Sequence, residues 1–402
     1  MKRKLTLLAL SFVLLIFLTG NSPSQEENIY PKLKLFAKVI AIIQQNYVEK
    51  VEIKDLIEGA LKGMLSSLDP YSEFMTPQEY EDMKIETEGK FGGVGMVITS
   101  EKGIITVVSP IEDTPAFRAG IKPQDKIIEI EGESTKGWSI QKAAHRLRGK
   151  PGTKVNFKVW REGENGVKSF TITREIIKIK SVKGPEIFDD RIAYIRLIAF
   201  REGVDKELKT ALDKVKESNI SALILDLRNN PGGLLDEAVK VSDLFLPQGK
   251  LIVYTQGREK SKRNDYFSTT APYFTSPYPI VIIVNKGSAS ASEIVAGALH
   301  AWEIGVLLGE KTFGKGSVQS ILPVEDNYTL RLTTARYYTP AGVCIEGDGL
   351  VPNIEVSLKP EEEEKVIKAF LEGKREEDIQ LQKALKFLRE EMDKSKTISK
   401  NK

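Results

Sequence analysis

The hydrophobic pattern of this chain changes character several times along its length. Residues 1–4 read MKRK, and residues 5–20 form an almost uninterrupted apolar run. A short basic stretch ahead of such a run is typical of a secretory signal peptide. The run is shorter than the stretch of about 20 residues that a membrane-crossing helix needs, but no clear A-x-A cleavage site follows it. The pattern predicts that residues 1–20 are a signal peptide or an N-terminal anchor.

This segment also predicts where the protein works. We expect export to the periplasm or cell envelope, with a tether to the inner membrane if the segment is retained. Since no cysteine follows the apolar run, a lipoprotein anchor is excluded.

Apolar residues at helical spacing mark both ends of the remaining chain. Residues 21–86 predict a helical region of two or three amphipathic helices, and residues 359–402 predict a charged helical tail with one apolar stripe. These apolar faces either pack on the body of the protein or form a homodimer contact. The positions that carry the pattern are Phe36, Val39, Ile40, Ile43, Ile57, Leu61, Met64 and Leu68 in the first region, and Leu381, Leu385 and Leu388 in the second.

The middle of the chain has two β-rich patterns. Residues 87–177 contain short β-runs interrupted by one helix, SIQKAAHRLRG. Residues 178–358 contain fully apolar runs such as SALILDLR and PIVIIVN, which alternate with helical segments such as GVDKELKTALDKVKES. Such runs are typical of strands that are buried on both faces of a β/α sheet. The sequence thus predicts an α/β multidomain protein.

Composition narrows the chemistry. The 402 residues carry a net charge of +3, which gives no electrostatic case for binding nucleic acid. A single cysteine, Cys344, excludes an intrachain disulfide and a cysteine-built metal site, and we expect it to be inert packing. Two histidines, His145 and His300, make a histidine-built metal site equally improbable. We expect no metal and no cofactor.

A glycine-rich stretch, FGGVGM at residues 91–96, precedes a β-run. Successive backbone N–H groups in such a turn can bind an anion, and a peptide can add a strand to the neighbouring sheet edge. With SPIEDTPAFRAGIKPQDKIIEIEGES and the helix at residues 139–148, the stretch resembles a PDZ domain. The resemblance implies a groove that binds extended peptides by their free C-termini, lined by Gly93, Val94, Gly95 and Met96.

Three serines alternate in NKGSASASEIVAGAL, between a predicted strand and a predicted helix: Ser288, Ser290 and Ser292. A serine hydroxyl needs a base to become a nucleophile. His300 lies more than two turns into the helix, so it is a poor candidate, whereas Lys315 in FGKGS could serve if burial keeps it uncharged. We expect Ser292 to be the N-cap of the helix and Ser288 to be a turn residue.

The segments NKGSASASEIVAGAL, GEKTFGKGSVQ, LDLRNNPGG and LTTARYYTPAG, with LIEGALKGMLSSLDPYSEFM before them, resemble the carboxyl-terminal processing proteases of peptidase family S41. The resemblance covers nearly all of residues 30–356 and implies a ClpP/crotonase-like β/α core with the PDZ domain inserted. It makes Ser290 the nucleophile, Lys315 the base and Gln319 the residue that orients it. The oxyanion hole would use the amide of Ala291 and that of Gly232 or Gly233, a choice that stays open.

The sequence therefore predicts an exported serine endopeptidase that captures protein C-termini and cleaves near them. Arg148, which follows the PDZ helix, is a candidate for coupling the groove to the active site, while Asp226 and Arg228 are expected to be structural. The rival interpretation is a non-catalytic PDZ scaffold that delivers envelope proteins to another protease.

Overall fold

The computed structural model describes residues 29–400, apart from positions 102, 164, 165, 190 and 219 and the side chains at 367, 370–372 and 395–400. The predicted signal or anchor at residues 1–20 lies outside this range. The chain divides into two compact units, residues 1–68 and 69–402.

The first unit contains two helices within its described residues, as the helical spacing predicts. They are α1 (Tyr30–Asn46) and α2 (Ile53–Ser66). No residue of α1 is buried, and several of its large apolar side chains are exposed. The predicted dimer contact through this helix stays a prediction. None of the described helices combines the length and the apolar character that a membrane crossing needs.

The second unit begins with a short strand and a helix that the sequence pattern did not single out. Strand β1 (Glu73–Met75) leads into helix α3 (Pro77–Glu88). Thr76 and Glu79 form a capping box at the start of α3, and Gly89 ends it with a positive φ of 66°.

The region predicted as a PDZ domain follows, with a six-stranded sheet, a two-stranded sheet and two helices among its described residues. Strands β3, β4, β5, β7 and β8 form a sheet in that order, with β6 paired to β5, and β2 pairs separately with β9. Its apolar core includes Ile105, Val107 and Phe157. The elements are β2 (Lys90–Gly93), β3 (Met96–Glu101), β4 (Ile104–Pro110), α4 (Pro115–Arg118), β5 (Lys126–Ile130), β6 (Glu133–Ser134), α5 (Ile140–Leu147), β7 (Lys154–Trp160), β8 (Val167–Thr173) and β9 (Glu175–Lys178).

The core is built on a six-stranded sheet of order β10-β11-β12-β15-β16-β19, parallel except for the β10/β11 pair. Its strands β12 and β15 are buried throughout, which confirms the prediction from their apolar runs. The elements of this sheet and its helices are β10 (Val182–Phe188), β11 (Ile192–Leu197), α6 (Val204–Glu217), β12 (Ala222–Asp226), α7 (Leu235–Asp243), β15 (Ile280–Val284), α8 (Ala291–Ala301), β16 (Gly305–Gly309) and β19 (Ile354–Glu355).

A second, antiparallel sheet of the core contains β1 from the start of the unit. Its order is β1-β18-β13-β14, with β17 paired to β18. Its remaining strands are β13 (Leu251–Gly257), β14 (Arg263–Phe267), β17 (Ser317–Pro323) and β18 (Thr329–Tyr338).

The charged tail forms α9 (Pro360–Glu372) and α10 (Ile379–Lys400). The stripe of Leu381, Leu385 and Leu388 is at most 1% exposed and packs on the face of the six-stranded sheet that includes Ile224 and Ile283. Because the chain's own sheet covers this stripe, it is not available for the dimer contact considered from the sequence.

Candidate active site

Ser290 lies at the turn between β15 and α8, as the sequence predicts. Its φ and ψ of 56° and −115° are outside the regions that L-residues usually occupy. Such a conformation costs on the order of 1–3 kcal/mol and persists only where the surrounding structure holds it. The Ser290 N–H donates to Oε2 of Glu293 at 2.8 Å, so the helix itself fixes the strained turn.

The other two serines anchor the turn. Ser292 is fully buried, and its hydroxyl donates to the carbonyl of Asn230 at 2.9 Å. The expectation that Ser292 is the N-cap is wrong, because α8 begins at Ala291 and Ser290, two residues earlier than Ser292, occupies the cap position. The Ser288 hydroxyl donates to the carbonyl of Leu227 at 2.8 Å and accepts from the Asn285 N–H at 3.0 Å. These contacts hold the serine turn against the loop that follows β12.

Glu293 joins the serine turn to the lysine loop. Its side chain is fully buried, and Oε2 accepts from the backbone N–H groups of Ser290 and Lys315 at 2.8 and 2.9 Å. Oε1 accepts from the Thr312 hydroxyl at 2.5 Å and the Gly314 N–H at 2.8 Å. Burial raises the pKa of Glu293, and these hydrogen bonds oppose the shift. The sequence carries one signal for this role, since a Ser with Glu three residues later is typical of a capping box.

Lys315 lies between β16 and β17, partly buried, with Nζ 4.5 Å from the centre of the Tyr71 ring. Burial lowers the pKa of Lys315, and the nearby Arg331 lowers it further, whereas Glu346 and Asp69 act in the opposite direction. A lowered pKa favours the neutral amine that a general base requires. In the part of the chain that the structure describes, Nζ makes no hydrogen bond to Ser290 Oγ.

Gln319 lies on β17 and faces the same cavity as Ser290 and Lys315. Its Nε2 donates to Oγ of Ser317 at 2.9 Å and to Oγ1 of Thr333 at 3.3 Å. The structure therefore brings Gln319 to the site but does not place its amide in a hydrogen bond with Lys315.

The amides expected to form the oxyanion hole lie beside the serine turn. The N–H of Gly232 is already committed to Oδ1 of Asn230 at 3.0 Å, whereas those of Gly233 and Ala291 have no acceptor among the described residues. A Cβ on Gly232 would lie 2.8 Å from Ser290 Cβ and 2.9 Å from the Ala291 N atom. Gly232 thus keeps open the space in front of Ala291, while Gly233 has the amide free to donate.

One cavity of about 770 Å³ is lined by Ser290, Lys315, Gln319, Gly232 and Gly233. One wall comes from the loop of Gly232 and Gly233, another from α3, and a third from β17 and β18. Tyr337, which the sequence analysis did not single out, also lines it, and burial raises its pKa well above the ordinary range of tyrosine. The cavity can hold a stretch of extended substrate against Ser290.

A second hollow, of about 230 Å³, lies between β3 and α5. All four residues predicted for the peptide groove line it: Gly93, Val94, Gly95 and Met96. Strand β3 is at the edge of its sheet, and the N–H groups of Val94 and Gly95 have no acceptor among the described residues. A free edge and free amides are what a peptide needs to add a strand and place its carboxylate.

Arg148 lies between this groove and α3. It lines the groove, its guanidinium lies 5.1 Å from the Phe91 ring centre, and Nη1 is 2.8 Å from Oδ1 of Asp82. Asp82 belongs to α3, and its neighbours Met83 and Lys84 line the cavity that contains Ser290 and Lys315.

The remaining candidates lie elsewhere. His145 is exposed on α5, and His300 is near the end of α8, about 13 Å along the helix axis from Ala291 at 1.5 Å per residue. Among the described residues, no cluster of His, Cys, Asp or Glu side chains is arranged to hold a metal ion. Asp226 and Arg228 form a buried ion pair that supports the fold, as expected.

Comparison with known proteins gives matches over most of the chain. The model of peptidase family S41 matches residues 191–356, that of the PDZ domain residues 106–161, and that of the N-terminal domain of the activating protease CtpB residues 18–79. A carboxy-terminal-processing protease of Bartonella bacilliformis is 39% identical over 95% of this chain and 94% of its own length. The carboxy-terminal processing protease CtpA of Bacillus subtilis is 36% identical over 89% and 78%.

A solved structure shares the fold. A Bacteroides fragilis protein assigned to the S41 proteases has a TM-score of 0.51 at 16% identity, over 88% of this chain and 97% of that one. The family model and the two carboxy-terminal processing relatives show that the chain belongs to peptidase family S41, whose members are serine peptidases. Within that family it is a carboxy-terminal processing protease with a PDZ domain. The predicted family and the α/β multidomain fold are confirmed.

Proposed function

We propose that this protease is an exported endopeptidase that captures protein C-termini in the PDZ groove and cleaves near them with a Ser290–Lys315 dyad. The observation that carries the proposal is that the strained Ser290 turn and a lysine of lowered pKa line one cavity. The backbone N–H groups of Ser290 and Lys315 both donate to Oε2 of Glu293, which fixes the distance between the two backbone segments.

In the proposed reaction, Nζ of neutral Lys315 takes the proton of the Ser290 hydroxyl as Oγ attacks the scissile carbonyl. The amides of Ala291 and Gly233 donate to the oxyanion, and the N-terminus of α8 favours its negative charge. The tetrahedral intermediate expels the amine, which receives the proton from Lys315, and leaves an acyl group on Ser290. Water then attacks the ester, with Lys315 again as base, and releases the acid and the free serine.

Lys315 must leave Tyr71 and approach Ser290 before the first step, since no hydrogen bond joins the two side chains among the described residues. Gln319 lies on β17, the strand that follows the Lys315 loop, and lines the same cavity, and we assign it the role of orienting the lysine in its working position. Its present partners, Ser317 and Thr333, are hydroxyl groups that a side-chain rotation can release.

Substrate capture uses the groove between β3 and α5. A C-terminal peptide would add to the β3 edge and place its carboxylate against Val94 and Gly95, whose amides are free. The Arg148–Asp82 pair then gives a route from the groove to α3, one wall of the catalytic cavity. We assign Arg148 the role of reporting groove occupancy through this pair.

The proposed location is the cell envelope, based on the basic and apolar residues at the N-terminus. Fusion of residues 1–30 to a reporter that is active only outside the cytoplasm tests this. A silent reporter with a normally expressed fusion would place the enzyme in the cytoplasm instead.

One experiment tests capture and chemistry together. Wild type, Ser290→Ala and Lys315→Ala, each lacking residues 1–20, are incubated with an unfolded protein that ends in apolar residues and with the same protein amidated at its C-terminus. We expect both variants to be inactive and amidation to slow the wild type. If wild type cleaves neither substrate but binds only the free C-terminus, the chain acts as a non-catalytic scaffold, and the proposed chemistry is wrong.

A further inference from the structure

The turn at residues 69–72 is held rigidly beside the active site. Oδ1 of Asp69 accepts from the N–H groups of Tyr71 and Ser72, both at 2.8 Å, and Oδ2 accepts from the Ser72 hydroxyl at 2.8 Å. The Thr333 N–H on β18 donates to Oγ of Ser72 at 3.1 Å. Nε of Arg331 on the same strand donates to the Tyr71 carbonyl at 3.3 Å. The backbone that carries the Tyr71 ring is therefore anchored to the antiparallel sheet of the core.

This ring lies against the side chain of Lys315. The distance of 4.5 Å from Nζ to the ring centre is well inside the range of about 6 Å for a cation–π interaction. Among the described residues, Nζ has no hydrogen bond or ion pair that would hold it elsewhere. Burial raises the pKa of Tyr71, so its hydroxyl stays protonated through the neutral range.

Other charged groups around Lys315 are mixed in sign. Arg331 disfavours the ammonium form, while Glu346 and Asp69 favour it. Glu293 accepts from the backbone N–H of Lys315 rather than from Nζ. The face of the Tyr71 ring attracts the ammonium form and gives the neutral amine no comparable stabilisation.

We propose that Tyr71 is a positioning residue that holds protonated Lys315 away from Ser290 and so sets the pH at which the base becomes available. This inference rests on the proposed role of Lys315 as general base. Loss of the proton weakens the attraction to the ring, and the neutral amine is then free to accept the hydrogen bond from Ser290 Oγ.

The same turn is linked through Thr333 to Gln319, the residue assigned to orient the lysine. Oγ1 of Thr333 accepts from Nε2 of Gln319 at 3.3 Å and lies 3.4 Å from Oγ of Ser72. The turn thus contacts Lys315 directly, through an aromatic face, and Gln319 indirectly, through the Thr333 hydroxyl on β18.

The test measures the rate at which a fluorophosphonate probe modifies Ser290 as a function of pH, since this reaction needs the base but no bound C-terminus. Tyr71→Leu removes the ring but keeps an apolar side chain. In this variant we expect the acid limb of the pH–rate profile to move down by about half a pH unit to one pH unit. At pH values below the limb, its reaction rate should be about 3- to 10-fold higher than that of wild type. Tyr71→Phe, which keeps the ring, leaves the limb in place.

A limb that is unmoved or moves upward in Tyr71→Leu overturns the inference. Tyr254→Leu is a matched control, because it removes a ring that stacks on Tyr338 and not on Lys315. If Tyr71→Leu does not fold, fluorinated phenylalanines at position 71 replace it. They keep the ring volume while weakening its negative face, and we expect the limb to fall with each added fluorine. A limb that is indifferent to fluorination contradicts the cation–π role.

Lys315→Ala separates this inference from the proposed function. If Lys315→Ala does not react with the probe at any pH, the dyad stands whatever the Tyr71 variants give. If it reacts with the wild-type acid limb, the base is another group, and the proposed function fails before the role of Tyr71 is reached.

Discussion

Ser290 and Lys315 donate their backbone N–H groups to the same atom, Oε2 of Glu293, at 2.8 and 2.9 Å. A single buried carboxylate therefore fixes the separation between the proposed nucleophile and the loop that carries the proposed base. Its other oxygen, Oε1, accepts from Thr312 and Gly314, so the loop of residues 312–315 is held by the Glu293 side chain.

Glu293→Gln should lower kcat/KM by about 10- to 100-fold. The variant places an NH2 group, which cannot accept a hydrogen bond, opposite backbone N–H donors, and hydrogen bonds to a charged acceptor contribute about 1.5–3 kcal/mol each. Steady-state kinetics on an unfolded substrate measures this. Glu303→Gln, an exposed change just beyond the other end of α8, is the control and should retain activity. Equal kinetics for the two variants would show that the carboxylate does not position the site.

Gly232→Ala should abolish activity. Its φ is +98°, and a Cβ there would lie 2.7 Å from the Ala289 carbonyl and 2.8 Å from Ser290 Cβ, so the serine turn must shift. Gly203→Ala is a matched control, since Gly203 also has a positive φ, +83°, but a Cβ there meets nothing within 4 Å. We expect the control to lose about 1 kcal/mol of stability and to keep its turnover. Turnover by Gly232→Ala at the wild-type rate would remove the steric argument.

Reversal of the Arg148–Asp82 pair tests the coupling between groove and cavity. Arg148→Glu places like charges together, and we expect it to reduce the stimulation of cleavage by a free C-terminal peptide several-fold, because α3 no longer senses the groove. The double variant Arg148→Glu/Asp82→Arg restores opposite charges and should recover part of the stimulation. The readout is cleavage with and without added peptide. Loss in the single variant without any recovery in the double would assign Arg148 to peptide binding alone.

Arg228→Ala should be among the most destabilising single changes. Arg228 joins Asp226 at the end of β12 to Asp378 before α10, at 2.7 Å from each, and all three side chains are at most 5% exposed. Removal of the shared partner leaves two buried carboxylates and should cost about 3–5 kcal/mol. Denaturant unfolding measures this, and Arg389→Ala, which removes an exposed pair with Asp189, should cost about 1 kcal/mol or less.

The same network predicts an acid dependence of stability. Despite burial, which acts upward, Arg228 holds the pKa of Asp226 below its ordinary value. The ionised Asp226 carboxylate therefore contributes its full stabilisation above about 3.9, the pKa of Asp in the unfolded chain. This stabilisation is lost as pH falls through the lower pKa that Asp226 has in the folded protein. Unfolding of wild type and Asp226→Asn between pH 5 and pH 2 should show a steeper loss in the wild type. Parallel curves would contradict this linkage.

Features that depend on local sequence were predictable, whereas features that depend on contacts between distant segments were not. Strands β12 and β15 and helix α6 were predictable because their burial depends on local periodicity. Ser290 and Lys315 were found through motifs, and in the structure both side chains line one cavity.

Other features depend on contacts between distant segments. Lys315 contacts the Glu293 carboxylate and the Tyr71 ring, which lie 22 and 244 residues away in the sequence. No local pattern predicts such contacts. Ser292 was misjudged as the N-cap because Ser290, two residues earlier, takes the cap position with a positive φ. The leucine stripe of α10 showed that it had to be buried, but only the tertiary structure showed that its partner is the chain's own sheet.

The central claim is that Ser290 attacks and Lys315 activates it. The most direct measurement is peptide mapping by mass spectrometry of the fluorophosphonate adduct in wild type, Lys315→Ala and His300→Ala. We predict an adduct on Ser290 in wild type and in His300→Ala and none in Lys315→Ala. An adduct on another residue, or one that disappears in His300→Ala and persists in Lys315→Ala, would contradict the account.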